Sequence, residues 1–345
     1  MKRRQILGGM AGGAAAASCP AFALADSGAP PLTLLVAGPD GSQTSRWGNA
    51  CALAFSPFLP GAPAIIPRPV GGLDGVTGAN QLDALVVPDG KTAAILPGAA
   101  LIAFLTGDSR VHFDPTRWLP LLAGTNSGIL MLRGTPPTIA ALRARPPLRI
   151  AANQPQSPDL AGLLGLARLG IATAPVFGLR DTDAKTRAFI AGEVDAVFLC
   201  GEGVPEDAAP LSAAGAVPFF SIGALGPQGD MGPDPLFPGV PEAQSLGPAI
   251  SPDMDAVYRA AAAAAQLDFL LVLPKLTDPG AVARWTQASA QAATSPALSA
   301  AASASSISLQ PATALAGALA DLAIQPTAQS GMLAYLAKNY GWQPS

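Results

Sequence analysis

Residues 68–82 read RPVGGLDGVTGANQL, with four glycines (Gly71, Gly72, Gly75 and Gly78) between an apolar run and a helix-forming segment. A glycine-rich turn from strand to helix is where nucleotide folds hold phosphates. The stretch therefore separates a nucleotide-dependent enzyme from a protein that uses glycine for shape alone. The dinucleotide fingerprint spaces its glycines G-x-G-x-x-G and puts an acid about 20 positions on, at the end of the next strand. Here the order is G-G-x-x-G-x-x-G, and the nearest acid at that distance, Asp89, lies in a Pro88-Asp89-Gly90 turn that begins the next strand. Such a carboxylate does not reach a ribose. The P-loop ending is missing too, because Asp89-Gly90-Lys91-Thr92 lacks the earlier glycine. The glycines are read as conformational, and the chain as needing no cofactor.

Outward from this turn, short apolar runs alternate with longer amphipathic segments. Strands are expected at 32–37, 64–67 and 92–96, with helices at 45–58 and 74–85 between them. After DPTRWLPLLAG (114–124) come strands at 128–132, 148–152, 174–179, 194–199 and 217–222. Helices fall at 138–144, behind Pro136-Pro137, at the segment opened by Ser157-Pro158-Asp159, and at 181–190. Ser157 reads as an N-cap, Pro158 as the first helical residue, and Asp159 as a partner for the positive helix end. Residues 226–241 are too rich in Gly and Pro for regular structure and read as a surface loop or a crossing between domains. A helix at 252–265, a strand at 269–273, a helix at 278–293 and an alanine-rich helical remainder complete the chain. Strand then helix, repeated across short turns, argues for parallel sheets covered by helices.

With 345 residues, half of them hydrophobic, the chain can bury a large core. Only 12% are charged, the net charge is −3, and no basic stripe offers itself to nucleic acid. The first 25 residues have the layout of an export peptide: Lys2, Arg3 and Arg4, a small-residue apolar stretch, and Ala23-Leu24-Ala25 before a mature start near Asp26. The paired arginines fit the twin-arginine route, and Cys19 is a weaker candidate for a lipid anchor. The expected location is the periplasm. Cys51 and Cys200 remain, either as a disulfide or as two separate buried thiols.

Catalytic chemistry finds few candidates. The one histidine, His112, stands beside the Asp114-Pro115 turn, and there is no G-x-S-x-G elbow. One His and two distant Cys do not make a zinc site. What remains is a pair of strand-to-helix loops whose backbone N–H groups suit an anion: GPDGSQTSRW, with Gly41, Ser42, Gln43 and Thr44, and NQPQSPD, with Gln156 and Ser157. Each could equally be a plain helix cap. An exported hydrolase using Ser42 or Ser157 is the rival reading, and it needs His112 as base. A second rival is a protein of the same fold that acts only through protein contacts.

Six segments in order resemble the substrate-binding receptors of tripartite tricarboxylate transporters, the Bug proteins. LLVAGPDGSQTS is similar to that family's first strand and its VPFAPGGATD loop. The glycine stretch, continued through DGKTAAIL, is similar to RPGAGGNIGADAVAKAAPDGYTLLL. FDPTRWLPLLAGTNSGILMLRGTPPTIAAL, SPDLAGLL, FIAGEVDAVF and FPGVPEAQSLG follow the family's later segments.

The resemblance implies an α/β, two-lobed periplasmic binding protein fold of type II, each lobe a mostly parallel sheet flanked by helices. It divides the mature chain into a first lobe at 26–122, a second at 123–245, and a return to the first at 246–345. Crossings near 115–125 and 225–247 would let the lobes close on a ligand. It implies no enzyme, but a monomer that delivers a small carboxylate-bearing organic solute to membrane transporter subunits or a sensor.

Carried over by motif, the ligand contacts fall on Gly41, Ser42, Gln43 and Thr44 in the first loop. Gly72 and Leu73 follow in the glycine stretch. The second lobe supplies Gln156 and Ser157, then Arg180, Asp181 and Thr182, and finally Leu199 and Cys200. The sequence departs from the family at several of these. Ser42 replaces the second glycine and Ser45 the acid of the first loop, Asp181-Thr182 replaces a Gly-Ser, and Leu199-Cys200 replaces a polar Asp-Asn. An Asp at 181 inside a cleft would repel a carboxylate unless Arg180 offset it, and Leu199 would favour a less polar ligand.

Overall fold

The computed structural model describes residues 29–135, 138–226 and 229–344. The export segment with Cys19, the mature start near Asp26, and Pro136-Pro137 lie outside them.

The first lobe opens with three strand–helix units: β1 (Leu32–Ala37), α1 (Gln43–Phe55), β2 (Ile65–Val70), α2 (Val76–Leu85), β3 (Thr92–Leu96) and α3 (Gly98–Leu105). Strand β4 (Leu119–Thr125) then leads through Asn126 into the second lobe. There follow β5 (Ser127–Arg133), α4 (Ile139–Arg143), β6 (Leu148–Ala151), α5 (Asp159–Arg168) and β7 (Thr173–Val176). The lobe continues with α6 (Thr182–Ile190), β8 (Ala196–Gly201), α7 (Val204–Ala213) and β9 (Ala216–Ser221). A short hairpin, β10 (Ala224–Leu225) with β11 (Met231–Gly232), precedes the long helix α8 (Pro252–Gln266). The chain returns as β12 (Leu267–Leu273), α9 (Pro279–Ala293), α10 (Pro296–Ala304), β13 (Ser308–Pro311), α11 (Ala312–Asp321) and α12 (Pro326–Tyr340).

Two sheets result, in the orders β13-β4-β12-β3-β1-β2 and β7-β6-β8-β5-β9. In the first, β1 lies parallel to β2 and β3, whereas β12 runs antiparallel to β3 and β4, and β13 antiparallel to β4. In the second, β6 is parallel to β7 and β8, and β5 is antiparallel to β8 and β9. The parallel pairs are those joined by helical crossovers. The antiparallel partners are strands that arrive from, or leave for, the other lobe. Periodicity sees the first kind of neighbour and not the second, so the sheets are mixed where strand–helix alternation alone predicts parallel pairing.

Several elements carry no sequence signal. Helix α3, GAALIAFL, is apolar almost all round and buried, so it lacks an amphipathic stripe. Strand β4 contains Pro120 and Gly124, and α7 carries Pro210 inside it. Strand β2 extends to Val70 despite Pro67 and Pro69, because it pairs only with β1 and its outer edge needs no donors. No helix among the described residues is long and apolar enough to cross a membrane.

Helix α8 joins the lobes. Ser251 caps it, accepting from the Met254 N–H at 3.1 Å, and its run Ala260–Ala265 is buried throughout. The small side chains let α3, α5, α11 and α12 approach it closely. Gln266 at its end donates to the carbonyls of Ile222 (3.1 Å) and Gly223 (2.8 Å), tying the end of the second sheet to the start of β12.

The glycines of 68–82 have distinct physical roles. Gly71 and Gly75 take left-handed conformations, φ +85° and +74°, which turn the chain from β2 into α2. Gly78 lies against β1, where an added Cβ would meet the Ala37 Cβ at 2.5 Å and Cα at 2.7 Å. Gly72 is different: its nearest neighbour, an Asp74 carboxylate oxygen, would be 3.7 Å away. Gly78→Ala is therefore expected to lose about 1–3 kcal/mol by overpacking α2 against β1, and Gly72→Ala to be near neutral. Urea denaturation midpoints of the two variants check this, and equal midpoints would refute it.

Candidate functional site

The first-lobe wall of the cleft is built from helix beginnings. Ser42 caps α1, its hydroxyl accepting from the Ser45 N–H at 3.2 Å, which leaves the N–H groups of Gln43 and Thr44 without an intrahelical acceptor. Helix α3 starts behind Pro97 with no side-chain cap, so Gly98 and Ala99 likewise present free N–H groups. Ser42, Gln43, Thr44, Pro97, Gly98 and Ala99 line one cavity of about 250 Å3, and Leu73 stands at its rim. Two helix N-termini converging on one space favour negative charge there.

The second lobe and the crossings supply the rest. Pro158, Cys200 and Gly201 face the same cavity, with Asn126 from the crossing between β4 and β5. The Cys200 Sγ lies 3.2 Å from both the Asn126 Oδ1 and the Ala265 carbonyl, where it can donate to either. The Asn126 N–H donates to the Gln266 carbonyl at 2.8 Å. Behind Cys200 a buried ion pair joins Lys185 to Asp159, and the Asn153 N–H also donates to Asp159, at 2.7 Å.

The closing side of the cavity holds Ala264 and Ala265 of α8, Leu267 and Asp268. Asp268 owes its position to an irregular register. Leu267 pairs with Thr125 and Phe269 with Gly124, so Asp268 is an extra residue in β12 and its side chain turns into the cleft. It is only 9% exposed. Its Oδ1 accepts from the Gln43 Nε2 at 2.5 Å, and its Oδ2 has no hydrogen-bond partner among the described residues. Burial, then the nearby charge of Glu202, pushes this carboxyl up from 3.8 to about 6, against the pull of Gln43, Trp47 and Arg46.

Glu202, just past β8, reaches across to the first lobe. Its carboxylate takes both an Arg46 Nη2 bond at 2.5 Å and the Trp47 indole N–H at 2.9 Å. The two lobes are thus clasped beside the cavity, and Arg46, which could have offered charge to a ligand, is committed to Glu202.

Of the residues expected at the site, Ser42, Gln43, Thr44, Leu73 and Cys200 line this cavity; Gly41, Gly72, Gln156 and Ser157 do not. Gln156 approaches Asp108 at 3.5 Å, and the buried Ser157 hydroxyl donates to the Gln154 carbonyl at 2.6 Å. Pro158, not Ser157, holds the cap position of α5. Arg180 and Asp181 are exposed outside the cavity; Asp181 caps α6 through the Ala184 N–H at 2.7 Å, and Thr182 bonds Asp207 at 3.2 Å. Leu199 turns into the core with Ile129, Met131 and Phe189, since alternate residues of β8 face opposite sides. Sequence reasoning passed over Pro97–Ala99, Asp268 and Glu202. An acid set between an alanine helix and the run FLLVL was the one available signal for Asp268.

His112 is exposed, with its backbone N–H bonded to Asn80 at 2.8 Å, while Ser42 and Ser157 bond within their own loops. Cys51 and Cys200 are free thiols. Cys51 is fully buried, which pushes its thiol up to about 12, and burial raises Cys200 as well, so both stay protonated. A larger depression of about 440 Å3 lies at the far edge of the second lobe, but its Arg149 is paired with Asp195 at 2.7 Å.

No protein-family model matches this sequence, and no curated protein matches it. Solved structures do match by fold. A TctC solute-binding protein from Polaromonas, with no ligand, superposes with a TM-score of 0.68 at 17% identity, covering 88% of this chain and 98% of that one. MatC from Rhodopseudomonas palustris with bound malate gives 0.53 at 17% identity, covering 85% and 96%. The periplasmic binding protein BugD gives 0.52 at 14% identity, covering 92% and 99%. The chain has the two-lobed α/β fold of these periplasmic binding proteins.

The raised carboxyl of Asp268 makes stability depend on pH. Between about 4 and about 6 the folded ligand-free protein holds a proton that the unfolded chain has released, so stability falls as pH rises through this window. Asp268→Asn is expected to abolish that fall, gaining about 3 kcal/mol over the native chain at pH 7.5 and nothing below pH 4. Urea denaturation of both proteins at pH 3.5, 5 and 7.5 checks it; a constant difference across pH would refute it.

Proposed function

We propose that this chain is an extracytoplasmic solute-binding protein of the tripartite tricarboxylate, or Bug, type. It captures a small carboxylate-bearing organic solute between its lobes and presents it to a membrane transporter or a sensor. The observation that carries this reading is the convergence of the α1 and α3 N-termini on one cavity at the lobe junction, where their free N–H groups can hold a carboxylate without a basic side chain. The segment-by-segment resemblance to Bug proteins and the shared fold with MatC, which carries malate, support it. A cavity of about 250 Å3 is below the range usual for drug-sized ligands, which favours a solute of few carbons.

In this reading the lobes are 26–125 with 246–345, and 126–245, the first running three residues past the expected boundary because β4 pairs in the first sheet through Thr125, and the protein works as a periplasmic monomer after loss of residues 1–25. Closure about Asn126 and the junction of α8 with β12 traps the ligand, and the bridge from Glu202 to Arg46 and Trp47 holds the closed state. The function is capture and release, with no bond made or broken in the solute.

A thermal-shift screen of the mature protein against small carboxylates tests the reading. A ligand at 100 times its Kd adds about 2.7 kcal/mol to the native state and raises the Tm accordingly. If no carboxylate in a broad panel moves the Tm, the reading fails. Glu202→Ala should lower the affinity of any ligand found by several-fold, mainly through faster dissociation, because it removes the clasp and not a ligand contact. Stopped-flow release measurements check this, and an unchanged dissociation rate would count against closure by this bridge.

A further inference from the structure

Carboxylates from opposite lobes meet around Trp47. Glu202, just past β8 in the second lobe, accepts the Trp47 indole N–H at 2.9 Å and pairs with the Arg46 guanidinium at 2.5 Å. Asp268, on β12 of the first lobe, stands within reach of the same groups: the charge of Glu202 pushes its carboxyl up, while Trp47 and Arg46 pull it down. The two acids differ in what balances them. Glu202 has a guanidinium and an indole N–H, whereas Asp268 is buried with a single amide donor, the Gln43 Nε2 at 2.5 Å. A buried carboxylate so thinly matched favours its neutral form.

That imbalance depends on the lobes being together. Gln43, Arg46 and Trp47 belong to α1 and stay beside Asp268 in any arrangement, because α1 and β12 are parts of one lobe. Glu202 does not. Parting the lobes takes its charge away from Asp268 and replaces Cys200 and Gly201, which share the cavity with Asp268, by water. Both changes favour the ionised carboxyl.

We propose that lobe closure takes up a proton at Asp268, which makes the clasp of Glu202 on Arg46 and Trp47 a pH-sensitive latch, shut in mildly acid solution and loosened near neutrality. The proposal rests on the reading that the lobes open and close, and adds what regulates them. Around Asp268 the charged and titratable groups are Arg46 from α1, and Glu202 and the Cys200 thiol from the second lobe. Its neighbours in the first sheet (Gly124, Thr125, Leu267 and Phe269) carry no charge, and no Lys or His lines the cavity.

In the closed protein the Asp268 carboxyl stands at about 6, against an ordinary 3.8. Below the ordinary value it is protonated in both arrangements, and closure has its full strength. As pH rises the open form ionises first, and above about 6 the closed form must hold two carboxylates against one guanidinium. Closure is then about ten-fold more favourable at pH 5.0 than at pH 7.5. A solute trapped by closure would leave more slowly at the lower pH even where the solute itself does not titrate.

Small-angle X-ray scattering of the mature protein without solute, at pH 5.0, 6.0 and 7.5 and constant ionic strength, tests the latch. The radius of gyration is expected to grow as pH rises, and the Trp47 indole N–H resonance, identified by its loss in Trp47→Phe, to shift over the same range. Asp268→Asn, neutral at every pH, should keep the compact radius throughout, with a urea midpoint showing that the variant is folded. A native radius that does not change with pH, or one that changes equally in Asp268→Asn, overturns the latch and leaves solute binding intact. Because no solute is added, a screen in which no carboxylate binds would overturn the solute-binding reading without touching this result.

Discussion

The end of α8 against the start of α3 is the contact on which the site depends. The carbonyls of Ala264 and Leu267 occupy the space where a side chain at Gly98 would be, so only glycine permits this approach. That packing fixes three things together. It sets the uncapped N–H groups of α3 at the cavity, it starts β12 at the same place, and it puts the extra residue of β12, Asp268, beside those donors. The alanines before it matter for the same reason. Six consecutive small, buried residues let α8 lie close to helices of both lobes, where larger side chains would hold them apart.

Polar bonds then fasten both lobes to this helix. On the second-lobe side, the nearly buried Arg168 of α5 donates to Asp255 of α8 at 2.5 Å and to the carbonyls of Ala243 and Gly247 at 3.1 and 2.9 Å. At the other end, Gln266 holds Ile222 and Gly223, and its carbonyl accepts from Asn126. The crossing at Asn126 and the segment that follows β9 are thus bonded to one residue. Leaving these buried donors and acceptors unpaired would cost about 1–3 kcal/mol each. A further tie lies at the chain's end, where the Tyr340 hydroxyl of α12 meets Thr173 of β7 at 2.6 Å.

Local patterns in the sequence carried the strand–helix units and their order, because each unit buries one face against its own neighbours. The strand Thr92–Leu96 and the helices opening near Pro252 and Asp278 are of this kind. What stayed hidden depends on distant partners. Whether β12 runs parallel or antiparallel is decided by where α8 delivers it, and α3 is recognisable only once its buried surroundings are known. The site divides the same way. Ser42, Gln43 and Thr44 were legible as a loop before a helix, whereas Asp268 enters through a register irregularity that no local pattern encodes. The motif match placed Leu199 in the cleft and the two-residue alternation of β8 took it out, leaving Cys200 there.

The polar groups around the cavity are divided unevenly between the lobes. The helix starts of α1 and α3, and Asp268 with its partner Gln43, belong to the first lobe. The second lobe offers Pro158, Gly201 and a protonated thiol, and its polar residues nearby are spent on one another, as Asp159 on Lys185. Where the resembling family has an acid in its first loop, this chain has Ser45, buried and bonded to Asp40 at 3.3 Å. The acid of this cleft instead comes from the returning strand. The second lobe contributes the clasp of Glu202 to Arg46 and Trp47 beside the cavity, where a lower effective dielectric strengthens charged interactions.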